Sequence, residues 1–274
     1  MHAICSETFG RRGDPAVLLI MGAMASMLWC PDAFCRRLAG AGRFVIRYDN
    51  RDTGRSIGYE PGTAAYTGDD LVADAVGVLD EQGVERAHVV GMSMGGGIAQ
   101  VVALDHPDRV LSLTAISTSP IDSHAGLPGP TREYMEHAAA FADLDWSDTQ
   151  ALADLIVEDA RRLAGTRHPF DEAAARDLVT RDHDRAIDPS RLMNHGSLGA
   201  GGGNRRLDDL RAPLLVIHGT ADPLLPYPHG VALAEAVPGA TLVTIEGGGH
   251  ELHERDWDQM LEAIVAHTTA ASGA

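Results

Sequence analysis

The strongest constraint on this chain is a set of continuous apolar, β-branched runs, at residues 16–21, 43–48, 87–91, 110–117, 213–218 and 241–246, spaced by helix-like stretches. A strand with one wet face alternates apolar and polar residues. A continuous run needs cover on both faces, which is the pattern of a parallel sheet inside a protein. Helical spacing at 69–82, 94–105, 230–236 and 255–268 supplies that cover. The alternation predicts an α/β fold, a mostly parallel sheet with helices on both faces.

One region breaks the alternation. It opens with a turn-rich stretch, 119–130, holding three prolines and two glycines, and continues with helical patterns at 132–142, 149–163 and 171–183. It ends in a glycine-rich connector at 199–204. The organisation expected is a core formed by 1–118 and 207–274, with 119–206 inserted as a helical cap.

Charge narrows the partners. The 39 acidic and 22 basic side chains leave a formal charge of −17, which repels nucleic acid and anionic membrane surfaces. All 22 basic residues are arginine, so lysine Schiff-base chemistry is excluded. No run of about 18 apolar residues is present to cross a membrane. The first twelve residues lack a signal-peptide pattern, and the 3 cysteines, Cys5, Cys30 and Cys35, form no disulfide framework. A cytoplasmic location is expected, with a small-molecule partner and no cofactor or metal. Oligomeric state is left open.

The chemistry-bearing motif is Gly91-Met92-Ser93-Met94-Gly95, between the run at 87–91 and the helical stretch at 94–105. In a strand–turn–helix context this G-x-S-x-G pattern is a nucleophile elbow, which projects the serine hydroxyl from the sheet edge. A serine hydroxyl needs a base. Among 13 histidines, His250 follows a late strand and the run Gly247-Gly248-Gly249, on the loop edge where the elbow lies. His218 and His253 are its rivals. The base needs an acid, and Asp222, after the run at 213–218, completes the chain order Ser…Asp…His. Asp122 is the fallback acid.

Donors for a tetrahedral oxyanion are expected from the backbone N–H groups of Met94 and Ala23, the latter in the loop after the first run. Gly22 and Met24, beside Ala23, and Trp29 are expected to wall the substrate pocket. The segment His250-Glu251-Leu252-His253-Glu254 is not a zinc motif, because its histidines stand three apart, where H-E-x-x-H needs four.

These residues resemble the α/β-hydrolase superfamily. The stretches LLIMGAMASMLWCPDAFCRRLAGAGRFVIRYDNRDTGRS, AHVVGMSMGG, HGTADPLLPYPHG and EGGGHEL resemble its aclacinomycin methylesterase-like branch of bacterial serine esterases. In that branch Met-Gly, as at Met21-Gly22, replaces the usual His-Gly. The resemblance implies cofactor-free hydrolysis of a small or medium hydrophobic ester, lactone or polyketide-like methyl ester, with Ser93, Asp222 and His250 as triad. It also marks 49–56, DNRDTGRS, as a turn whose Arg51 and Asp52 suit a buried lock behind the active loops. Carbon–carbon bond hydrolysis, acyl transfer or cofactor-free perhydrolysis would use the same triad. A non-catalytic ligand-binding module of the same fold is the alternative from another class.

Overall fold

The computed structural model describes residues 4–122, 126–198 and 204–272; 199–203 of the expected connector lie outside the described residues. Seven strands form one sheet in the order β1-β3-β2-β4-β5-β6-β7. The strands are β1 (Ser6–Phe9), β2 (Ala16–Ile20), β3 (Phe44–Tyr48), β4 (Ala87–Met92), β5 (Val110–Ile116), β6 (Leu214–Gly219) and β7 (Thr241–Ile245). Only β1 runs antiparallel, pairing Ser6 with Tyr48 and Phe9 with Val45. The six apolar runs are the six parallel strands. In β2, β3, β4 and β6 every residue is buried, as a sheet covered on both sides requires.

The two covers are separate. Helices α2 (Gly68–Glu81), α3 (Met94–Asp105) and α7 (Pro228–Ala236) bury Leu71, Val78, Ile98, Val102 and Leu233 on one face. Helices α1 (Asp32–Gly40) and α8 (Trp257–Ser272) bury Phe34, Leu38, Trp257, Met260 and Ile264 on the other. The start of α2 is held by a capping box in which Thr67 and Asp70 exchange hydrogen bonds.

Two elements were not expected. Strand β1 is a four-residue edge strand, SETF, with partly or fully exposed positions, so it carries no apolar run. Helix α1 inserts only Phe34, Cys35 and Leu38 into the core and starts without a side-chain cap.

Between β5 and β6 lie α4 (Arg132–Ala138), α5 (Thr149–Leu163) and α6 (Glu172–Arg185), and no strand among the described residues. Asp148 caps α5 and Asp171 caps α6 through their side-chain oxygens. Leu152, Ile156 and Val157 of α5 and Val179 of α6 join Leu192 in a third apolar cluster, against which Met24 and Trp29 pack. Among the described residues no helix is long and apolar enough to cross a membrane.

Candidate active site

Strand order places the site. Chain direction through the sheet reverses at β2, which has β3 on one side and β4 on the other. The loops leaving β2 and β4 therefore diverge and open a crevice at the carboxyl ends of the strands, where open α/β sheets bind ligands.

Ser93 sits in that crevice between β4 and α3, with φ 55° and ψ −122°. This conformation costs a non-glycine residue about 1–3 kcal/mol and persists only where the surroundings enforce it. They do. The Ser93 N–H donates to the Ile116 carbonyl at 2.9 Å, and its own carbonyl accepts from Gly96 N at 2.9 Å and Thr118 Oγ1 at 2.8 Å. Met94 is the first residue of α3, so its N–H has no intrahelical acceptor.

His250 and Asp222 meet as expected. His250 Nδ1 donates to Asp222 Oδ2 at 2.8 Å, and both residues are buried. The second carboxylate oxygen, Oδ1, accepts from the N–H groups of Leu224 and Leu225 at 2.9 and 2.8 Å. Burial alone would raise the Asp222 pKa. Attraction to His250 and hydrogen bonds from His218 and His250 overturn this and hold the carboxyl well below its ordinary range. With Nδ1 engaged, Nε2 is the imidazole nitrogen without a hydrogen bond among the described residues. No hydrogen bond joins Ser93 to His250 among the described residues. Such contacts often tighten only when substrate binds.

The rival residues have other duties. His218 is fully buried and donates from Nε2 to the Leu225 carbonyl at 2.7 Å, which shapes the Asp222 loop. Asp122 accepts from Leu207 N at 2.8 Å, and the carboxylate on the His250 imidazole is that of Asp222. His253 stacks on His168 with ring centroids 4.3 Å apart and 21° between planes. Its cluster with His168 and Asp256 brings three possible metal-ligand residues, two imidazoles and one carboxylate, together. Arg167 and His168 already hold the Asp256 carboxylate at 3.3 and 3.0 Å. The cluster reads as a clasp between the α5–α6 loop and the entry to α8.

The loop after β2 runs beside the nucleophile. A Cβ on Gly22 would stand 3.1 Å from Ser93 Cβ and 3.6 Å from its Oγ. Asn50 Nδ2 donates to the Met21 carbonyl at 3.1 Å, and Asp49 Oδ1 accepts from Met27 N at 2.9 Å. The 49–56 turn thus buttresses this loop. Within it Arg51 forms a buried two-bond ion pair with Asp74, at 2.5 and 2.8 Å. Asp52 accepts from Tyr59 N and Tyr66 Oη at 2.6 and 2.7 Å. Trp29 packs between the core and the helical segment, its indole N–H donating to Asp182 Oδ2 at 2.8 Å.

A roof not read from sequence lies above the pair. The His250 N–H donates to the Leu163 carbonyl at the end of α5, at 2.8 Å. One helical turn earlier, Asp159 interacts electrostatically with His250 and is held by His137 Nε2 at 3.2 Å. Burial raises the Asp159 carboxyl pKa, with His137, Tyr134 and His250 pulling the other way.

Comparison with known proteins agrees with this architecture. Residues 15–256 match the family described as alpha/beta hydrolase fold, and the chain belongs to that family. Within it the chain is 38% identical to rhodomycin D methylesterase DauP of Streptomyces sp. strain C5, over 97% of this chain and 95% of that protein. It is 37% identical to rhodomycin D methylesterase DnrP of Streptomyces peucetius, with the same coverage. These matches place it in the methylesterase-like branch that its motifs resemble. The solved structure of an esterase from Exiguobacterium antarcticum has the same fold, with a TM-score of 0.76 at 20% identity over 97% of this chain and 95% of that one.

Proposed function

We propose that this ester hydrolase is a serine esterase in which Ser93 is the nucleophile, His250 the general base and Asp222 the acid that orients it. The observation that carries the reading is the fixed imidazole: Nδ1 is held by a buried, ionised carboxylate, and the elbow serine is strained at the adjacent crevice. In the reaction His250 Nε2 takes the hydroxyl proton as Ser93 Oγ attacks the ester carbonyl. The Met94 and Ala23 N–H groups receive the oxyanion. The alcohol leaves with the proton from His250. Water, deprotonated by the same imidazole, then attacks the acyl-enzyme and restores Ser93.

The substrate class is a small or medium hydrophobic carboxylic ester or lactone. A methyl ester of a polyketide-like acid is favoured by the likeness to two rhodomycin D methylesterases. The segment 119–206 acts as the cap that shapes the acyl pocket, with Gly22, Met24 and Trp29 at its base. The test is hydrolysis of a short p-nitrophenyl ester series, with fluorophosphonate labelling read by mass. The wild type should turn over and label on Ser93, and Ser93→Ala should lose both. A folded wild-type protein that neither labels nor turns over would sink the reading.

The roof carboxylate adds a selectivity. At a pH above the raised Asp159 pKa, an acyl chain ending in a carboxylate is expected to meet a like charge there, in a protein of net charge −17. For like charges on the order of 10 Å apart at an effective dielectric of about 20, the repulsion is about 1–2 kcal/mol, roughly tenfold in kcat/KM. A hemisuccinate aryl ester is therefore expected to react about tenfold more slowly than the neutral ester of equal length, and Asp159→Asn should narrow the gap. Equal rates for the two esters in the wild type would remove Asp159 from the pocket wall.

A further inference from the structure

We propose that His195, on the 3-10 segment Pro189–Ser197 that follows α6, is a positioning residue that sets the oxyanion hole from the cap side. The inference rests on the reading of Ser93 as nucleophile. No local sequence signal marks His195, which lies 171 residues from the loop it touches.

The imidazole bridges two backbones. Its Nδ1 accepts from the Met24 N–H at 2.8 Å, and its Nε2 lies 2.7 Å from the Arg51 carbonyl. A carbonyl oxygen only accepts, so Nε2 must carry the proton. Nδ1 is then a bare lone pair, which is what the Met24 N–H needs. The two bonds together select one neutral tautomer. His195 is 6% exposed, so neither bond has water as a ready replacement. Burial disfavours the charged form and outweighs the hydrogen bond to the Arg51 carbonyl and the attraction of Asp52, which favour it.

The contact decides which amide can face an oxyanion. Met24 has φ 60°, a left-handed conformation that a methionine adopts only under constraint. Its N–H is engaged by His195 and is not available to substrate. The N–H one residue earlier, on Ala23, has no acceptor among the described residues and remains available. The loop is thereby pinned three times: Met21 by Asn50, Met27 by Asp49, and Met24 by His195. The first two pins come from the 49–56 turn. The third comes from the segment between β5 and β6, so seating of that segment and readiness of the oxyanion donor are one event. Without the third pin the Met24 backbone can relax out of its left-handed state and carry the Ala23 N–H with it.

Two conservative variants separate the two bonds. His195→Asn keeps an acceptor near the Nδ1 position and loses the Arg51 bond. His195→Gln reaches the Nε2 position and loses the acceptor for Met24. Loss of one oxyanion donor costs about 10²–10³-fold in kcat. A displaced donor should cost less, so His195→Gln is expected to lower kcat about 10–100-fold with KM within about twofold, and His195→Asn to stay within about fivefold of wild type. Affinity for an aryl trifluoromethyl ketone, which forms a tetrahedral adduct, should fall with kcat in His195→Gln. Affinity for the parent methyl ketone should not. The reverse ranking of the two variants, or equal weakening of both ketones, overturns the proposal, since either points to general packing. Wild-type kcat in a folded His195→Gln protein overturns it as well. A wild-type enzyme that neither labels on Ser93 nor hydrolyses esters is a separate failure, that of the serine-esterase reading.

Discussion

Asp222→Asn is expected to lower kcat by about 10³–10⁴-fold while KM stays within about twofold. The size follows from how the carboxylate is held. Oδ1 accepts two backbone N–H groups, from Leu224 and Leu225. An asparagine at this position must turn its carbonyl oxygen toward those donors, because its amide NH₂ would face them donor to donor. The NH₂ is then left where Oδ2 was, against His250 Nδ1. It donates to Nδ1 and drives the imidazole proton to Nε2, the nitrogen that must be free to accept from Ser93. The shape is kept and the tautomer is wrong. Steady-state kinetics on the same aryl esters, with circular dichroism to confirm folding, check it. Activity within tenfold of wild type would remove Asp222 from the acid role. The variant also has a stability signature. The Asp222 carboxyl titrates below its ordinary range in the folded protein. Its contribution to stability is therefore present above the unfolded value of about 3.9 and is lost as pH falls from there through the folded value. Urea midpoints measured below about pH 4 should fall less steeply in Asp222→Asn than in the wild type.

The sheet was legible because its message is local. Each parallel strand is a self-contained apolar run, and the loops that follow β4, β6 and β7 carry Ser93, Asp222 and His250 at recognisable offsets. The elbow glycines belong to the same local code. The edge strand β1 was not legible, since an exposed four-residue strand has no need of apolar residues. Partners distant in sequence were equally silent. Arg51 pairs with Asp74, 23 residues on, and nothing in the turn 49–56 singles out that aspartate. Asp159, His137 and His195 reach the site from a segment without a strand among its described residues. Trp29, expected to wall the pocket, donates its indole N–H to Asp182, a partner 153 residues away that no local pattern marks. Motif positions thus mark the candidate reacting groups, while the groups that orient them are set by tertiary contact.

Gly91→Ala and Gly95→Ala are expected to destabilise the fold by about 3–5 kcal/mol, whereas Gly97→Ala should stabilise it by about 0.4–1 kcal/mol. All three lie within one elbow, so the contrast isolates packing from composition. A Cβ at Gly91 would stand 2.1 Å from the Gly95 carbonyl oxygen, and one at Gly95 would stand 2.2 Å from the Ile20 carbonyl oxygen. Both obstacles are backbone in central strands or in the first turn of α3, and neither can swing aside as a side chain would. Relief requires α3 to lift from β4, which breaks the Ser93 N–H bond to Ile116 and releases the strained serine. At Gly97 the nearest atom to a new Cβ is Ile121 Cγ2 at 4.0 Å, ordinary contact. There the helix gains alanine's propensity and the unfolded chain loses freedom. Thermal and urea unfolding of the three variants supply the check. Soluble, wild-type-like Gly91→Ala and Gly95→Ala proteins would mean that strand and helix are not in contact at the elbow. A loss of stability in Gly97→Ala would show that the helix start must stay loose for some reason other than space. The small residues around Ser93 divide accordingly: Gly91 and Gly95 are required by contact distance, and Gly97 is not.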